Sequence, residues 1–170
     1  MTISHIVVGA VLTLACIADL RTRRIPNALT LSASVIAVLF HAATSGWTGV
    51  TSSVGGWLLG VALFFPMFAL RGMGAGDVKL LATVGAWLGP AQVAFVALAT
   101  SIAGGVLAIV VALMHGYLKT ALKNLRMLLT HWRVVGIRPL PEVSLETAEG
   151  PRLAYAVPVA IGTMVTLWLR

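Results

Sequence analysis

The chain has 170 residues, a length that would suit one ordinary soluble domain. Composition excludes that class: 59% of residues are hydrophobic and 10% charged, against roughly a quarter charged in a typical soluble domain, and mean hydropathy is +0.98. The net charge of +7 comes from 12 Lys and Arg against 5 Asp and Glu; in a lipid-dissolved chain that excess marks cytoplasmic loops and calls for no nucleic-acid partner.

The first predicted span covers residues 3–19. No Lys or Arg precedes it, so it lacks the positive start of a cleaved signal peptide and reads as a retained span beginning outside. It holds the single cysteine, Cys16, which excludes an intramolecular disulfide and a Cys-x-x-Cys knuckle. Asp19 closes the span. Arg21, Arg23 and Arg24 follow, and Pro26 with Asn27 makes a turn into the second span, 28–44. An uncharged connection precedes the third span, 54–70. The next stretch, Arg71-Gly72-Met73-Gly74-Ala75-Gly76-Asp77-Val78-Lys79, sets three glycines at alternate positions before an acid.

The fourth segment, 77–89, is short: the 11 residues from Val78 to Leu88 rise only about 17 Å as a helix. Topology argues for counting it as a span. With the fifth span at 91–114, a basic loop at 115–152 and the sixth span at 153–169, six crossings put 11 of the 12 Lys and Arg on one face, as cytoplasmic loops require. The expected fold is an all-α integral membrane protein: a single membrane-embedded domain over 1–170, about six transmembrane helices, N-terminus outside and working face cytoplasmic. Gly56 with Gly60, and Gly85 with Gly89, have the small-residue spacing of closely packed helices. In the basic loop, Tyr117 to Trp132 sets Lys119, Lys123 and Arg126, and also Leu118, Leu122, Leu125 and Leu129, at helical spacing. That pattern suits an amphipathic helix on an anionic leaflet or a continuation of the preceding span.

Removing the loop glutamates Glu142, Glu146 and Glu149 leaves two acids, Asp19 and Asp77, both at the cytoplasmic ends of apolar segments. Each has an ordinary reading, Asp19 as a partner of nearby arginines and Asp77 as a helix cap. As the only acids of the spanning part, at one face, they point instead to function. Two carboxylates around one water support acid and base catalysis: the ionised one takes a proton as the water attacks a carbonyl, and the protonated one donates to the oxyanion and the leaving nitrogen. No Ser or Thr has a convincing base, and His5, His41, His115 and His131 form no metal-like cluster, so neither metal nor cofactor is expected. Gly74 and Gly76 allow close backbone approach and a wet break at membrane depth. Lys79 either snorkels to the interface or lowers the charge cost of the pair. Other uses of two membrane aspartates are cation or proton binding in a transporter or channel, and helix capping in a non-catalytic assembly subunit.

The Asp19 to Asn27 stretch, the Gly74-Ala75-Gly76-Asp77-Val78-Lys79 stretch, and Tyr155-Ala156-Val157-Pro158 followed by Gly162 together resemble the type IV prepilin peptidase family, membrane aspartic peptidases of the Gly-x-Gly-Asp kind. The resemblance spans nearly the whole chain and implies Asp19 and Asp77 as the catalytic pair, with Gly74, Gly76 and Lys79 in the supporting loop. It implies prepilin or pseudopilin leader peptides as substrates, cut after a glycine at the cytoplasmic face of a bacterial inner membrane. Larger members add a Cys-x-x-Cys zinc region and a methyltransferase activity. A chain opening on a span with only Cys16 resembles the short, peptidase-only form of tight-adherence (Flp-type) pilus systems, for which N-methylation is not expected. The archaeal preflagellin peptidases are relatives of the same kind.

Overall fold

A computed structural model describes residues 3–136 and 153–169, and each secondary-structure element among them is helical. The charges Arg138, Arg152, Glu142, Glu146, Glu149 and Arg170 lie outside the described residues. The helices are α1 (Ile3–Thr22), α2 (Asn27–Ala69), α3 (Ala75–Leu88), α4 (Pro90–Met114), α5 (Leu118–Val135) and α6 (Ala156–Trp168). Three of them, α1, α2 and α4, are long and apolar enough to cross a membrane, and α6 is a shorter apolar helix. Leu14, Leu39, Leu98 and Ile102 stand exposed along them, as side chains solvated by lipid do.

At 43 residues, a straight α2 would run about 65 Å, roughly twice the hydrocarbon thickness of a bilayer. It is a hairpin. Gly46 adopts φ 60°, ψ −142°, in the left-handed region that glycine enters without a Cβ penalty. Gly49 then packs so closely on His41 that a Cβ would strike the His41 carbonyl oxygen, a contact that a continuous helix could not make. Residues 44–53, expected as a connecting loop between spans, are therefore helical apart from one glycine. Their polar composition misleads because the hydroxyls of Thr44, Thr48 and Thr51 donate back to the carbonyls of Phe40, Ser45 and Thr48, satisfying themselves inside the helix.

The hairpin grips α3. Its first arm runs parallel to α3, with Thr83 Oγ1 3.1 Å from the Thr30 carbonyl and Trp87 Nε1 donating to the Ala33 carbonyl at 3.0 Å. Its second arm runs antiparallel: a Cβ on Gly60 would lie 2.7 Å from Ala82 Cα, one on Gly56 would collide with the Gly85 carbonyl, and Ser53 Oγ donates to the Ala86 carbonyl at 2.8 Å. Bare glycines thus let the backbones touch, the packing that their spacing predicts. Val78 and Leu80 to Trp87 are buried throughout. Protein surrounds this helix, so its 14 residues, about 21 Å, face little lipid.

A second antiparallel pair, α4 and α6, completes the bundle. Gly162 receives Thr100, and Gly104 receives the ring of Tyr155. The helices alternate in direction, so the end of α1 and the starts of α2, α3 and α6 gather at one pole. The opposite pole is closed by Phe40, His41 and Trp87, whose ring centroids lie 5.4 to 6.1 Å apart. Beyond α4 the chain bends at His115 to Tyr117, where Gly116 has φ 65°, and α5 departs as a separate helix.

Candidate active site

Asp19 lies in the last turn of α1 and is buried, with 6% of its surface exposed. Its Oδ2 accepts a hydrogen bond at 3.1 Å from the backbone N–H of Ala156, the first residue of α6. The first N–H groups of a helix lack intrahelical partners, and the positive end of the helix favours a nearby negative group. No side chain of α6's own caps it, so Asp19 serves as a cap reaching across from another helix.

Asp77 lies in the first turn of α3, its N–H donating to the Gly74 carbonyl at 3.2 Å. The two glycines before it have separate reasons to be bare. A Cβ on Gly74 would sit 3.1 Å from Asp77 Oδ2, whereas one on Gly76 would sit 3.2 Å from the Cβ of Ile25, in the turn between α1 and α2. Close approach, not a left-handed backbone, is what glycine supplies here: Gly74 has φ −75° and ψ 148°, which any residue can adopt.

Both aspartates line one open cavity of about 490 Å³. One wall is the turn from Arg23 to Asn27, a second is Gly74 to Gly76, and a third is Leu153 with Tyr155. Of the predicted site residues, the fold brings Asp19, Asp77, Gly74 and Gly76 together. Lys79 stands apart: exposed, its Nζ donates to Asn27 Oδ1 at 2.9 Å across a neighbouring groove and ties the starts of α2 and α3 together. Among the described residues, no three His, Cys, Asp or Glu side chains group as metal ligands would.

Sequence reasoning assigns no site role to Tyr155. Its ring stands edge-on to Phe64, with centroids 6.1 Å apart, and its hydroxyl would lie 2.8 Å from a Cβ on Gly104. Tyr155 thereby wedges the start of α6 beside α4, directly before the N–H that holds Asp19. The available signal was a polar aromatic at the mouth of an apolar span. For Ile25 no comparable signal exists.

The sequence profile of the type IV leader peptidase family matches residues 6–109, a stretch containing both aspartates. A prepilin leader peptidase/N-methyltransferase from Neisseria gonorrhoeae is similar, 30% identical over 124 residues that cover 68% of this chain and 43% of that protein. The chain thus matches less than half the length of that curated relative. No solved structure matches the chain.

Proposed function

This chain belongs to the type IV leader peptidase family, and on that premise we propose that it is an aspartic endopeptidase that removes the basic leader of Flp-type prepilins. Asp19 and Asp77 are its catalytic pair. The observation that carries this reading is their convergence, from two separate helices, on the wall of one open cavity. One carboxylate, ionised, takes a proton from a water placed between them as its oxygen attacks the scissile carbonyl. The other, protonated, donates to the developing oxyanion; the first, now carrying the water's proton, passes it to the leaving nitrogen as the C–N bond breaks, and the second recovers its proton from the gem-diol as the carbonyl re-forms. No covalent intermediate is needed.

The surroundings suit these roles. Asp19 is held by the Ala156 N–H, which fixes one oxygen and leaves the other for chemistry. The bare backbone around Gly74 and Gly76 gives an extended substrate room to approach and to pair with main-chain groups. In the bilayer, the proposed arrangement is six crossings with the N-terminus outside and the aspartate pole at the cytoplasmic face of the bacterial inner membrane. Arg21, Arg23, Arg24, Arg71 and Lys79 at the helix ends of that pole support it. The proposal covers leader cleavage alone.

The test is processing of a Flp-type prepilin in cells expressing the wild type, Asp19→Asn or Asp77→Asn. Loss of a paired acid and base lowers the rate by about 10³-fold, so unprocessed prepilin accumulates in both variants. Wild-type processing by either variant would overturn the assignment.

A further inference from the structure

The helix that leaves the bundle carries a second, separate surface. On α5, Lys119, Lys123, Arg126 and Arg133 are all exposed, and at 100° per residue they fall within an arc of about 80°. Leu118, Leu122, Leu125 and Leu129 occupy the adjoining arc of about 60°. Three of these leucines, Leu122, Leu125 and Leu129, remain 57%, 52% and 49% exposed. No Asp or Glu occurs anywhere on the helix. A stripe of bare leucine flanked by cations that no acid of the same helix opposes is unfavourable in water and unfavourable deep in hydrocarbon. It is stable where leucines dip into acyl chains while longer cationic side chains reach up to phosphates.

The fold puts the helix at that level. Gly116, at φ 65°, turns the chain out of α4, whose last exposed residues, Ile109, Leu113 and Met114, carry the lipid-facing belt up to the bend. Because Gly104 of α4 packs on Tyr155 at the cavity, the ten residues that follow in α4 lead out at the aspartate pole. We infer that α5 lies in the headgroup layer of the leaflet on the aspartate side and binds anionic phospholipid through Lys119, Lys123, Arg126 and Arg133. The inference needs only residence in a bilayer and does not depend on the peptidase reading.

The test uses the full chain with Cys16→Ser, reconstituted in nanodiscs of phosphatidylcholine with or without phosphatidylglycerol. A fluorophore is attached at Leu125→Cys or, on the opposite face, at Thr120→Cys, and a nitroxide on the lipid acyl chain serves as quencher. Phosphatidylglycerol is expected to bring strong quenching at position 125 and little at 120, and high salt to reverse it. A Lys→Gln and Arg→Gln change at any two of the four cations should weaken the phosphatidylglycerol-dependent attachment about tenfold or more. Should the charge variants insert poorly, the salt titration on the four-cation helix decides alone. The inference is overturned if position 125 is as water-exposed as 120, or if its quenching ignores both phosphatidylglycerol and salt. It is also overturned if Leu125→Cys forms disulfides between copies in place of lipid contact, which would make the leucine stripe a protein interface.

Discussion

The two poles of the helical bundle are made from the same helices and use the same small residue to opposite ends. At the Trp87 pole, Gly56 faces Gly85 and a Cβ on either would strike the other's carbonyl, so backbones touch and the Phe40, His41 and Trp87 rings seal what remains. At the aspartate pole, Gly74 leaves space for the Asp77 carboxylate, Gly76 admits Ile25, and an open cavity of about 490 Å³ persists. Glycine closes one pole and keeps the other open. The difference lies in what the missing Cβ would meet: rigid backbone in one case, and in the other the side chains of Asp77 and Ile25.

The contrast can be broken from either side. The largest effect is expected at the open pole, where Asp77→Asn should lower leader cleavage about 10³-fold while thermal unfolding in detergent stays near that of the wild type; a matching drop in stability would make Asp77 a structural cap instead. At the closed pole, Gly56→Leu drives a side chain into the Gly85 carbonyl and should destabilise the bundle by about 3 kcal/mol, read as a lowered unfolding midpoint. A smaller effect belongs to Gly74→Ala, whose Cβ would press on Asp77 Oδ2 at 3.1 Å. This strain of about 1 kcal/mol should lower kcat by about fivefold to tenfold with stability retained; a change confined to KM would point to substrate binding instead. The smallest is Lys79→Gln. Lys79 itself does not line the cavity, and its exposed bond to Asn27 contributes about 0.5 kcal/mol, so cleavage should stay within about twofold of wild type. A large loss there would return Lys79 to the carboxylate pair.

Much of the candidate site was legible because so few acids occur. With Glu142, Glu146 and Glu149 assigned to a basic loop, Asp19 and Asp77 stood out by subtraction, and their places at helix ends followed from apolar runs that local composition marks. The small-residue spacing around Gly56 and Gly85 was legible for the same reason, since helical periodicity fixes which residues share a face. The hairpin at Gly46 was less legible. Hydroxyl-rich segments read as loops, yet in the helix the hydroxyls of Thr44, Thr48 and Thr51 find carbonyls about one turn back. The partner of Lys79 was not legible either: two residues from Asp77 in sequence, its side chain is carried round the helix to Asn27.

By itself, the sequence determined the solvent, the helices and the two acids, because hydropathy and helical period are properties of neighbouring residues. Tertiary structure alone decided that α6 begins beside Asp19, through a hydrogen bond spanning 137 residues of chain, and that Tyr155 wedges its start against Gly104. The same holds for Gly74 beside a carboxylate and Gly56 beside a carbonyl. Such contacts depend on how whole helices stack and on the volume left between them, and no local pattern encodes the distance between two surfaces that meet only after the chain has folded.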